Sequence, residues 1–168
     1  EMSASLVGSE MCIRDRIKAF QYLPTEQYEL WLVGDGERRS TLEDLVSRLG
    51  ILENVRFWGI RSDIPVLLKS SDIIVMSSHF EGLSLSSIEG MAVDRPFIAS
   101  DVDGLHEITK NAGILFPHGD AKALANIILR LKEEPYYRQI ADRCQQRASK
   151  YDIRKTVTAY LEIYKQLV

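Results

Sequence analysis

Short apolar runs alternate with amphipathic stretches, at intervals of roughly 20 residues from Ile17 onward. Residues 17–23 read as the end of a helix that stops near Pro24. Residues 29–33 form an apolar strand closed by Gly34-Asp35-Gly36. Leu42, Leu45, Val46 and Leu49 recur at helical spacing, and Gly50 supplies a C-terminal stop. Residues 55–58 predict the next strand, and Asp63 is placed to N-cap a short helix carrying Val66, Leu67 and Leu68. The run 72–78 predicts a strand followed by a loop and a helix. Residues 96–99 and 113–116 predict two more strands. Asp120 is placed to cap a helix bearing Leu124, Ile127, Ile128 and Leu131. Pro135 opens another helix to about residue 150, and a last one spans 153–167. Strands that are apolar throughout, separated by helices, predict an α/β fold: a Rossmann-like parallel sheet with helices on both faces.

The first 16 residues are read differently. They show no clear period, and the stretch 6–16 (LVGSEMCIRDR) resembles a translated sequencing-adaptor read. The expected organisation is therefore a non-native or disordered segment, 1–16, and one domain, 17–168.

A net charge of -3 gives no electrostatic reason to invoke nucleic acid. Cys12 and Cys144 have no metal-like spacing, which fits a reducing, cytoplasmic setting. No apolar run approaches the roughly 18–20 residues that span a bilayer, and a basic start followed by an apolar stretch is absent, so no signal peptide is expected.

The most informative chemistry follows the run 72–78. Glu81 falls in the loop after that strand, and Glu89 about one turn into the next helix, with Gly82, Ser84, Ser86 and Ser87 between them. Ligands of open parallel sheets bind outside the carboxyl ends of the strands. A helix start offers free backbone N–H groups to a phosphate, and a carboxylate can accept both hydroxyls of a vicinal diol. The expected ligand is a nucleoside-diphosphate sugar.

At these residues the chain resembles glycosyltransferase family 4, retaining enzymes of the GT-B architecture. The family signature E-G-F-G-L, followed by E-A-M-A, stands here as Glu81-Gly82-Leu83-Ser84-Leu85 and Glu89-Gly90-Met91-Ala92. Supporting landmarks follow in order: residues 33–36, 55–59, 104–107, and 113–116 with Asp120. The resemblance covers residues 17–168 and implies the C-terminal, donor-binding lobe, here lacking its first strand. It implies that Glu89 holds the nucleotide ribose and that Glu81 contacts the donor sugar. Amides around Gly82, Leu83, Ser84, Leu85 and Ser86 would meet the diphosphate or sugar, and Gly59, Ile60 and Arg61 would border the base. It implies transfer without a metal or other cofactor, in polysaccharide or glycolipid synthesis. The basic pair expected at the start of the lobe, and the acceptor-binding N-terminal lobe, are missing, so the fragment alone is expected to be inactive. Any membrane contact would come through the missing lobe. Ser84 replaces a glycine of the pattern and would be strained if that position needs positive φ.

Other readings carry less. A non-catalytic nucleotide-binding or structural fragment, or a nucleotide-sugar epimerase lobe, are the alternatives. A glycosidase acid pair lacks a matching scaffold. Gly34-Asp35-Gly36 lacks the third glycine of a dinucleotide loop, and Arg39 stands in its place. Asp101-Val102-Asp103 imitates a metal-binding D-x-D but fits a loop equally well. His79, His106 and His118 share no ligand spacing and read as loop residues. Arg143 and Arg147 read as a solvated helix face, Trp58 as core, and Tyr136 and Tyr137 as packing for the terminal helices. The Tyr- and Leu-rich last helix is expected to leave an apolar patch where the missing lobe would sit.

Overall fold

A computed structural model describes residues 2–6, 10–80, 82 and 84–166. Six strands form two parallel ladders: β1 (Met2–Leu6), β2 (Leu30–Val33) and β3 (Val55–Gly59), then β4 (Ile74–Met76), β5 (Phe97–Ser100) and β6 (Ile114–Phe116). Leu30 pairs with Val55 and Leu32 with Phe57; Ile74 pairs with Phe97, and Ile98 with Ile114. β1 lies alongside β4, so the spatial order is 3-2-1-4-5-6, that of a doubly wound dinucleotide fold.

β4 and β5 are buried at every residue. This is why their sequences are continuously apolar rather than alternating. Helices cover them: α1 (Glu10–Phe20) packs on α2 (Arg39–Arg48) and α6 (Ala121–Arg130), while α4 (Leu85–Met91) packs on α7 (Glu134–Ala148). The remaining helices are α3 (Ile64–Ser70), α5 (Asp103–Thr109) and α8 (Ile153–Gln166).

The local signals worked where the side chain has a backbone to bond. Asp120 accepts from the amide of Ala123 at 2.8 Å, as an N-cap does. Gly50 ends α2 with φ +67°: its N–H bonds Ser47 O and that of Ile51 reaches back to Val46 O. This is a Schellman closure, which needs left-handed backbone at the glycine.

Three expectations are corrected. The boundary at residue 17 falls inside α1, and residues 2–6 are a strand parallel to β2. The lobe therefore has a strand in the first position, and helix α1 runs through the segment set aside. The signals were there: Met2, Ala4 and Leu6 alternate with serines, and Ile13, Ile17 and Phe20 make a helical stripe against the core. A helix, α5, stands where a loop was read, because Leu105, Ile108 and Thr109 share one buried face despite Gly104. Arg147 is not on a purely solvated face. Its guanidinium donates to Glu107 O, Ile108 O and Lys110 O, closing the C-terminal end of α5.

Candidate functional site

The carboxyl end of β4 passes into Ser77 and Ser78, both 3% exposed. Buried hydroxyls need partners, and here they tie the strand ends together: Ser100, last in β5, donates to Ser78 O at 2.5 Å. The chain then turns outward. Phe80 is 85% exposed, Gly82 is exposed, and α4 begins at Leu85. Glu81 and Leu83, both assigned to the site from sequence, lie outside the described residues.

Ser84 has φ -84° and ψ 109°, ordinary extended backbone, so serine in place of glycine carries no strain. It serves instead as the N-cap of α4, its Oγ accepting from the amide of Ser87 at 3.3 Å. The hydroxyls of Ser84 and Ser87 also reach the thioether of Met76, at 3.6 and 3.2 Å. The helix start is thereby fixed to the last residue of β4. Ser87 and Met76 were not identified as site residues from sequence. The signal for Ser87 was the capping spacing Ser84-x-x-Ser87; a buried methionine gives none.

Glu89 lies one turn into α4 and is exposed. Among the described residues its carboxylate has no hydrogen-bond or ion-pair partner. On the same helix Leu85 is 69% exposed and Ser86 is half-buried. The site edge therefore offers a carboxylate available to a hydroxylic ligand.

The second segment assigned from sequence follows β3. Gly59 holds φ +65° while its carbonyl accepts from Gly34 N at 2.8 Å, which joins the ends of β2 and β3. Ile60 is 85% exposed. Arg61 forks onto Asp63 with contacts of 2.8 and 2.7 Å, and its guanidinium lies 5.5 Å from the Trp58 ring centre. The hydrogen bond and charge of Arg61 hold the Asp63 carboxyl below its ordinary value. Asp63 occupies the N-cap position of α3 without capping it by its side chain, contrary to the sequence reading, because the arginine competes for the carboxylate. Trp58 is half-buried, edge-on to Trp31 at 5.4 Å.

The histidines are less scattered than their spacing suggests. His79, after β4, meets His118, after β6, edge to face at 3.8 Å, and its Nε2 lies 3.6 Å from the Asp15 carboxylate. His106 belongs to α5 and its Nδ1 is 2.5 Å from Asp101 Oδ1. Among the described residues no group of three or more His, Cys, Asp or Glu side chains is arranged to hold a metal ion.

The sequence pattern of the family described as "Glycosyl transferases group 1" matches residues 7–134. The chain belongs to this family. It is 34% identical over 138 residues to the putative glycosyltransferase EpsD of Bacillus subtilis, covering 80% of this chain and 36% of that protein. It is 31% identical over 143 residues to the lipopolysaccharide core biosynthesis glycosyltransferase LpsD of Rhizobium meliloti, covering 83% and 42%. The crystal structure of Anabaena Alr3699/HepE in complex with UDP-glucose matches with a TM-score of 0.85 at 29% identity, over 99% of this chain and 48% of that one. This glycosyltransferase chain thus spans less than half the length of each of these relatives, and its fold is that of one GT-B lobe. No helix among its described residues is long and apolar enough to cross a membrane.

Proposed function

We propose that this chain is the donor-binding lobe of a retaining glycosyltransferase that takes its sugar from a nucleoside diphosphate. The observation that carries the reading is the uncommitted Glu89 carboxylate, one turn into a serine-capped helix at the carboxyl end of β4. Glu89 accepts the ribose hydroxyls. Glu81 contacts the sugar, and the backbone around Gly82 to Ser86 meets the diphosphate. Gly59 and Ile60 border the base, and Arg61 does so through its backbone while Asp63 holds its guanidinium. The UDP-glucose complex of the Anabaena relative supports this choice of ligand.

Chemically, the lobe stabilises a pyrophosphate leaving group and a sugar with oxocarbenium character, which is electrostatic work. The acceptor is held by the N-terminal lobe of the longer protein, which also provides any peripheral membrane contact of an otherwise cytoplasmic enzyme.

Calorimetric titration with UDP tests the assignment. The chain should bind UDP, and Glu89→Ala should weaken binding at least about tenfold, the loss of a charge-assisted bond. Unchanged affinity in Glu89→Ala overturns the role of Glu89. Sugar transfer by the 168-residue chain alone overturns the requirement for the second lobe.

A further inference from the structure

Of the three histidines, His79 and His118 face one another, and His106 faces a carboxylate. Asp101 follows directly on β5, where the backbone fixes it. Its N–H donates to Phe116 O at 2.8 Å, and the next amide, of Val102, donates to Ser100 O at 3.0 Å. The carboxylate so placed meets Nδ1 of His106 at 2.5 Å. A carboxylate accepts hydrogen bonds and does not donate them, so Nδ1 carries the proton. The other nitrogen of the neutral ring, Nε2, is left with a lone pair. Among the described residues Nε2 has no hydrogen-bond partner, and the side chain is 40% exposed.

The pair is not explained by what it does for the fold. Contacts this exposed contribute little to stability. α5 is held without it: Leu105, Ile108 and Thr109 bury its inner face, and Arg147 closes its far end. A carboxylate that fixes the tautomer and aim of an imidazole suits a histidine that meets a ligand.

The pair stands beside the donor loop. β5 pairs with β4, and Ser100, the residue before Asp101, donates to Ser78 O at the root of the loop that carries Glu81. α5 also packs on α4, the helix of Glu89. Because Nδ1 reaches back to a residue ahead of the helix, the ring lies over the first turn of α5, at the carboxyl edge of the sheet. In the proposed function the nucleotide runs from the loop after β3 to that after β4, and the next strand in order is β5.

We propose that His106, oriented by Asp101, is a specificity residue for the donor sugar: its Nε2 accepts a hydrogen bond from a hydroxyl of the transferred sugar. The inference rests on the donor-lobe reading and adds to it a contact from the neighbouring strand end.

The test is titration of the chain and of His106→Phe with UDP, UDP-glucose, UDP-galactose and UDP-N-acetylglucosamine. The sugar nucleotide that the chain binds most tightly should bind His106→Phe about three- to tenfold more weakly, the loss of one hydrogen bond. UDP, which lacks the sugar ring, should bind both alike. Asp101→Ala, which frees the ring, should show part of the same loss, and His106→Gln, which keeps an acceptor, should recover part of it. In nitrogen NMR spectra the Nε2 signal of His106, identified by its disappearance in His106→Gln, should move on saturation with that sugar nucleotide and stay in place with UDP. Sugar-nucleotide affinity indifferent to His106→Phe, or an equal loss for UDP, overturns the role of His106 and leaves the donor lobe standing. A chain that binds neither UDP nor any of the sugar nucleotides overturns the donor-lobe reading, and this inference with it. Melting temperatures check the folding of each variant, and the ring signals of the unsubstituted chain decide the matter where His106→Phe does not fold.

Discussion

At the residue scale, the chain contains positions where one atom decides the outcome. A Cβ added at Gly113 would lie 2.4 Å from Phe97 O, a backbone atom inside the β5–β6 ladder that cannot swing away. Gly113→Ala should therefore destabilise the fold by about 1–3 kcal/mol, the usual cost of overpacking, read as a lower urea midpoint with unchanged slope. Gly90 is more forgiving. Its added Cβ would meet Phe97 and Ile74 side-chain atoms at 3.0–3.1 Å, contacts that small side-chain shifts can relieve. Cys144 is fully buried, and burial pushes its thiol up to about 11. Below about pH 8.5 the thiol is protonated in both folded and unfolded chains. Between there and about 11 only the unfolded chain ionises, so stability should fall as pH rises through that window, by at most about 1.4 kcal/mol per pH unit. In a Cys12→Ser background, a thiol reagent should label the chain at its unfolding rate.

At the element scale, the donor-side helix depends on its cap. Ser84→Ala removes the acceptor for the amide of Ser87 and should cost about 1 kcal/mol, with protection of the first α4 amides falling first in hydrogen exchange. Arg147→Ala strips three carbonyl contacts from the end of α5 and should cost about 1–2 kcal/mol. The same exchange experiment would show α5, rather than α7, loosening. Legibility in the sequence followed a simple physical line. The β4-loop-α4 unit was readable because a continuous apolar run, a serine-rich helix start and an acid one turn into the helix each leave a local mark. α5 was missed because a glycine interrupts a helix that an arginine 40 residues away holds closed. The Arg61–Asp63 fork was missed because a cap and an ion pair compete for one carboxylate, and sequence spacing does not rank them. The meeting of His79 with His118 depends on where two strand ends fall in space.

At the scale of the whole molecule, α8 leaves its apolar side uncovered. Ile153, Val157, Tyr160, Leu161, Ile163 and Tyr164 are 49–70% exposed. Exposed apolar faces of this kind mark interaction surfaces, and this chain covers less than half of its matched relatives. Leu161→Glu should reduce concentration-dependent association of the isolated chain, followed by light scattering, while leaving its melting temperature nearly unchanged.

The clamp between strand and helix has one further consequence. The atom joining α4 to β4 is the sulfur of Met76, 3% exposed and carrying two serine hydroxyls. Peroxide converts a thioether to a bulkier, polar sulfoxide only when it can reach the sulfur. With α4 seated it cannot. The rate at which Met76 gains an oxygen, followed by mass spectrometry at low peroxide, is therefore a chemical clock for how often the donor-side helix lifts from the sheet.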